Sequence, residues 1–112
     1  SYYVWRYKGI DELLFLGDGQ AAQQSFAKAA EWASTYSDPE SQSIAAISSQ
    51  TAEFLKNNPQ SKAAQISAWA MVLGNATDKR TQQIAISQIE ALGGKVIITP
   101  EGGLRLQLPA QD

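Results

Sequence analysis

Leu16-Gly17-Asp18-Gly19 constrains this chain more than any other stretch. A Gly-Asp-Gly run is costly inside a helix: glycine loses the most backbone freedom on folding, and Asp favours caps and turns. On both sides of it the apolar spacing is helical. Before it, Tyr3, Val4, Tyr7, Ile10, Leu13 and Leu14 make a broad stripe over a first helix from about Tyr2 to Leu16. After it, Ala22, Phe26, Ala29, Ala33 and Tyr36 fall on one face of a second, from about Gln20 to Tyr36. The stretch therefore predicts a corner between two antiparallel helices. Gly17 turns the chain, Ala22 and Ala29 let the helices approach, and Phe26 fills the gap between them. Gly9 inside the first helix costs about 1 kcal/mol relative to Ala, which predicts a second backbone passing close to it.

Downstream, Asp38-Pro39-Glu40 is a helix start, with Asp38 as cap and Pro39 in the first turn. The third helix runs to about Lys56 with Ile44, Ile47, Thr51, Phe54 and Leu55 inward, and Asn57-Asn58-Pro59 stops it. Ser61 caps a fourth helix reaching Leu73, with Ala64, Ala68, Trp69 and Val72 inward. Thr77 or Asp78 caps a fifth that carries Ile84, Ala85, Ile86, Ile89 and Leu92 and ends at Gly93-Gly94. Phe26, Trp32, Phe54 and Trp69 are the expected aromatic core. The texture then changes. Lys95-Val96-Ile97-Ile98-Thr99 is β-branched, Pro100-Glu101-Gly102-Gly103 is turn chemistry, and Leu104 to Leu108 alternates strictly. This predicts a β-hairpin whose Leu104, Leu106 and Leu108 lie against the helices or another chain. Pro109 ends the strand, and the last few residues are expected to be loose.

Gly17, Asp18, Ala22, Phe26, Lys28 and Ala29 together resemble a tetratricopeptide repeat, in which a Gly turn is followed by Ala, a large aromatic and a second Ala at helical spacing. The likeness covers about residues 3 to 36. Its first half departs from the pattern: Arg6, beside Trp5, stands at the early Trp position, Gly9-Ile10 at the Leu-Gly pair and Leu13 at the Tyr position. The closing Pro comes late, at Pro39. The resemblance implies a mainly α fold of about five helices in antiparallel pairs over residues 2–92, winding as a right-handed superhelix, with a hairpin cap over 94–109. It also implies a non-catalytic protein–protein interaction scaffold with a concave groove. On this chain the groove would draw on Arg6, Gly9 and Asp11 of the first helix and on Ser43 and Gln50 of the third.

Composition limits the chemistry. No Cys and no His occur in 112 residues, which removes thiolate nucleophiles, imidazole bases and the usual zinc ligands. Asp11-Glu12 is the only adjacent acidic pair, and neighbours on a helix point too far apart to share a proton, so it reads as a solvated face. The glycine turns lack the Lys-Ser/Thr ending of a phosphate loop. The serines lack an activating base. The expectation is no enzyme, no cofactor and no metal. Nine Lys+Arg against eleven Asp+Glu give a net charge of −2, with no basic face for nucleic acid.

The candidate partner-binding residues are Tyr2, Tyr3, Trp5 and Arg6, where aromatics and cations circle the first helix, and Lys79 and Arg80 at the start of the fifth. Aromatics mixed with cations also follow membrane spans on the cytoplasmic side. They therefore suggest an anchor upstream of Ser1 and a place in the cytoplasm or at the cytoplasmic face of a membrane. A rival expectation is a self-associating assembly module that uses the open edge of the hairpin.

Overall fold

The corner forms where the sequence places it. In the computed structural model, which describes residues 1–110, α1 (Tyr2–Leu14) leads through Gly17 into α2 (Gly19–Ala33). Gly17 adopts φ 65°, a left-handed value that suits glycine, and Asp18 N–H donates to the Glu12 carbonyl at 2.8 Å. The Asp18 carboxylate then accepts from Ala21 N–H at 3.0 Å and opens α2. The expected loose tail falls partly on residues 111–112, which lie outside the described residues.

Ala22, Phe26, Ala29 and Ala33 are all fully buried along one face of α2. Tyr36 is not on that face. The helix ends at Ala33 because the Ser34 and Thr35 hydroxyls take the carbonyls of Glu31 and Trp32, at 2.7 Å each, which leaves Tyr36 exposed. Trp32 was expected in the core but is half exposed. At about 100° per residue it stands some 80° off the Ala22–Phe26–Ala29 line.

The face of α1 that packs inward also differs from expectation. Its buried residues are Arg6, Gly9, Ile10 and Leu13, while Val4 and Tyr7 face outward. The inward stripe is rotated by about 80° from the one the large apolar residues suggest. Phe26 explains the rotation. A Cβ on Gly9 would stand 3.1 Å from three carbons of the Phe26 ring, so a benzyl group, and no second backbone, fills the notch at Gly9. The close backbone approach occurs at Gly19 instead, where a Cβ would run into the Pro59 carbonyl, 2.7 Å from its carbon. Glu12 is not simply solvated: it accepts from the Ser25 hydroxyl at 2.5 Å and ties α1 to α2.

Three further helices follow, α3 (Pro39–Asn57), α4 (Lys62–Asn75) and α5 (Lys79–Ala91), capped by Asp38, Ser61 and Asp78. The Asp38 and Asp78 carboxyls are held below their ordinary value, chiefly by the backbone N–H groups of Ser41 and Thr81 that donate to them. On α3, Ile44, Thr51 and Leu55 are buried as expected, while Phe54 is half-buried and Ile47 is exposed. On α5, Ala85 and Ile89 are buried, Ile86 and Leu92 half-buried, and Ile84 exposed, one position and about 100° from Ala85.

The chain ends in an antiparallel hairpin of β1 (Lys95–Ile98) and β2 (Leu104–Gln107), in the register Val96 to Leu106 and Ile98 to Leu104. Thus the fold is mainly α, five helices packed in contact followed by a two-stranded hairpin.

Two groups of apolar side chains hold it together. One joins Ile10, Leu13, Ala22, Phe26, Ala52, Leu55, Ala64, Ala68 and Met71 from α1 to α4. The other joins Ile66 and Leu73 of α4 to Ala85 and Ile89 of α5, with Val96 and Leu108 of the hairpin region against them. Of the three leucines expected to pack, only Leu108 is half-buried. Strand β1 carries the contact with α5, which leaves Leu104 and Leu106 on the outer strand exposed. Truncation after Gly94 uncovers the second group. It should lower the unfolding free energy by about 1–2 kcal/mol, the worth of two half-buried aliphatic side chains, in urea melts.

Candidate functional site

The rotation of α1 carries Arg6 onto the buried stripe, where it keeps only 8 % of its surface exposed. Its guanidinium carbon lies 5.2 Å from the Tyr3 ring centroid and 5.7 Å from that of Tyr7, within cation–π range. The rings attract the charge, but the Arg6 Nε is buried with no hydrogen-bond partner among the described residues.

Arg6 lines a cleft of about 490 Å³, within the usual range of small-molecule sites. Helix α3 supplies Ile44, Ile47, Ser48 and Gln50 to it, and α4 supplies Ser67, Ala70, Met71, Gly74 and Asn75. Leu106 and Leu108 close the side nearest the hairpin. The lining has a buried floor and an open rim: Arg6, Ile44, Ser48, Ser67 and Met71 are buried, whereas Ile47, Gln50 and Leu106 are exposed.

Ser48 is the second anomaly on the floor. It is fully buried, yet its Oγ has no partner. A helical hydroxyl commonly donates to the carbonyl four residues back, as Thr51 does to Ile47 at 2.8 Å. Ser48 does not. The cleft thus combines one permanent cation, hydroxyls, two carboxamides and an apolar wall. Among the described residues, no Asp, Glu, His or Cys belongs to its lining. Such a lining can bind and orient a ligand, and it offers no acid–base pair.

The other residues singled out from the sequence sit elsewhere. The Tyr2 hydroxyl pairs with Ser41 Oγ at 3.0 Å, and the Tyr3 hydroxyl donates to Glu40 Oε1 at 2.9 Å. The Glu40 bond, aided by the neighbouring Tyr2, pushes the Tyr3 phenol up to about 12. The Tyr2 ring stands 4.6 Å from Tyr3 and 5.9 Å from Tyr36. These rings tie the first turn of α1 to the first turn of α3. Trp5 is half-buried between the ammonium groups of Lys8 and Lys28, at 5.1 and 5.2 Å. Lys79 and Arg80 are exposed in the first turn of α5 and do not line the cleft.

Of the six candidate partner-binding residues, Arg6 alone belongs to the cleft. Gln50 joins it from the expected groove, while Gly9 is covered by Phe26, and Asp11 and Ser43 lie outside the cleft. The corner residues Ala22 and Phe26 meet in the first apolar group, Ala29 is fully buried on the same face of α2, and Gly17 makes the turn. Sequence reasoning missed Ser48 and Met71, and only the alternation of Leu104, Leu106 and Leu108 pointed toward the hairpin side.

Among the described residues, no group of three His, Cys, Asp or Glu could hold a metal ion, and no helix is long and apolar enough to cross a membrane. Compared with family models, curated proteins and solved structures, the chain gives no match.

Proposed function

We propose that this chain is a non-catalytic scaffold of tetratricopeptide-like type that holds a segment of another protein on the face formed by α3 and the hairpin. One observation carries this reading. Ile47 and Leu106 stand at the exposed rim of the cleft, and Leu104 and Ile98 extend the apolar surface along the hairpin; the four are 44 %, 38 %, 52 % and 74 % exposed. Val96, Ile98, Leu104 and Leu106 share one face of the hairpin because they are directly opposed in register. Val96 at its inner end packs against the second apolar group, and an exposed cluster of large apolar side chains such as the other residues make is a common mark of an interaction surface. The mixed aromatic and basic residues at Tyr2–Lys8 support a position at the cytoplasmic face of a membrane.

A second reading rests on the outer edge of β2. In the two-stranded sheet each strand pairs on one side only, so this edge has free backbone donors and acceptors for a second copy of the chain. Panning a displayed random-peptide library against the protein, with methyl NMR mapping of the selected peptides, tests the first reading. It expects peptides that shift the methyls of Ile47, Ile98, Leu104 and Leu106. Selected peptides that map to another face, or none selected at all, would refute it. Light scattering over a hundredfold concentration range decides the second: a constant monomer mass removes self-association.

A further inference from the structure

We propose that the cleft between α3, α4 and β2 is a binding site for a free aliphatic monocarboxylate, held head-inward by Arg6. This goes beyond the scaffold reading: the two share Ile47 and Leu106 at the rim, but Arg6, Ser48 and Met71 belong to the cleft alone, so the Arg6 and Met71 signals tell them apart.

Three observations lead there. First, Arg6 is more than nine-tenths buried, and among the described residues no carboxylate forms an ion pair with it. Burying a cation without a counter-charge is costly, and the rings of Tyr3 and Tyr7 offset only part of that cost. The Nε donor on the same group lacks any acceptor. Second, Ser48 brings another unpartnered polar atom to the same floor, a hydroxyl able to donate to an anionic oxygen. Third, the rest of the wall is aliphatic: Ile44 and Met71 are near the floor, and Ile47 and Leu106 are at the rim.

Arg6 and Ser48 thus share the buried part of the lining with Ile44 and Met71, and the exposed rim adds Ile47 and Leu106. An amphiphile that enters with its charged head first sets its charge by Arg6 and lays its chain along these aliphatic side chains. Its charge should be a single negative one. Arg6 is the only cationic side chain in the lining, and the guanidinium fork fits a planar carboxylate in a bidentate pair. A dianionic phosphate would bring a second charge that nothing in the lining neutralises.

The probe is octanoate, used below its micellar concentration with the ¹³C,¹⁵N-labelled chain. The controls are octanol, octyl phosphate and a leucine-rich pentapeptide that carries one glutamate. Octanoate should shift the Arg6 Nε–H resonance together with the Met71 and Leu106 methyls. It should bind about tenfold or more tightly than octanol, because the charge-assisted pair is lost with the alcohol. Arg6→Gln should abolish the preference for the acid, while Arg6→Lys, a point charge without the fork, should keep only part of it.

Equal binding of octanoate and octanol overturns the assignment, and so does an unmoved Arg6 Nε–H. Tighter binding of octyl phosphate reassigns the head group, and tighter binding of the acidic peptide reassigns the occupant; either refutes the proposal as stated. Should Arg6→Gln fail to fold, the octanoate–octanol comparison on the unaltered chain still decides.

Discussion

Phe26→Ala should lower the unfolding free energy by about 3–5 kcal/mol in urea melts, the range for an aromatic deleted from a packed core. The size of the loss depends on how far the neighbours can collapse into the space. Here they cannot collapse far. The ring lies on Gly9, which has no side chain, and beside Ala22, which has one methyl, so the void stays open. A second variant checks this placement. Adding Gly9→Ala to Phe26→Ala should cost less than the two single changes summed, because the new methyl enters the vacated space. In the unaltered chain the same methyl meets three ring carbons at 3.1 Å, and the ring is enclosed on all sides. A loss below about 1 kcal/mol for Phe26→Ala would mean that the ring does not sit at the α1–α2 junction.

Gly19→Ala should destabilise by about 2–3 kcal/mol, although helix propensity alone argues for a gain of up to about 1 kcal/mol. Gly19 is the first residue of α2, directly after its Asp18 cap. Its Cα faces the backbone of Pro59 in the connection between α3 and α4, so an added methyl collides with a carbonyl group and not with a flexible side chain. Relief requires moving either the start of α2 or the residues from Asn58 to Ser61. The second of these holds its own hydrogen bonds, from Ser61 N–H to the Asn58 carbonyl at 2.9 Å and from Gln60 N–H to Asn58 Oδ1 at 3.0 Å. Thermal melts provide the measurement. An unchanged or raised midpoint would show that the connection yields without resistance.

The order of the elements was legible because capping is local chemistry. Asp18, Asp38, Ser61 and Asp78 each accept a backbone N–H three residues on; Asp38 and Ser61 were legible as caps, Asp78 as one of two candidates, and Asp18 only as part of the turn. The hairpin was equally legible from its alternation and its glycine turn. Which face each helix turns inward was not. The inward stripe of α1 centres on Arg6 and Gly9, whose burial is set by Phe26, seventeen residues beyond Gly9, and by two tyrosine rings. Hydropathy ranks both residues as poor core candidates, so reading the largest apolar side chains misplaces the helix about its axis. Trp32 and Ile47 were misplaced for a related reason: each stands beside the true stripe, and its size outweighed its angle. The cleft was the least legible feature. It joins α1, α3, α4 and β2, segments up to a hundred residues apart, and nothing local to Ser48 shows that it loses its hydrogen-bond partner there.

Helix α4 belongs to both apolar groups: Ala64, Ala68 and Met71 face one, Ile66 and Leu73 the other, and Val72 touches each. This division leads us to expect that α5 and the hairpin open together while the first four helices keep their own interior, and that native-state hydrogen exchange would reach their amides first. The floor under Arg6 belongs to the durable part of the molecule, whereas Leu106 and Leu108 belong to the part that opens. Detachment of the hairpin would therefore remove one wall of the cleft and leave its floor in place.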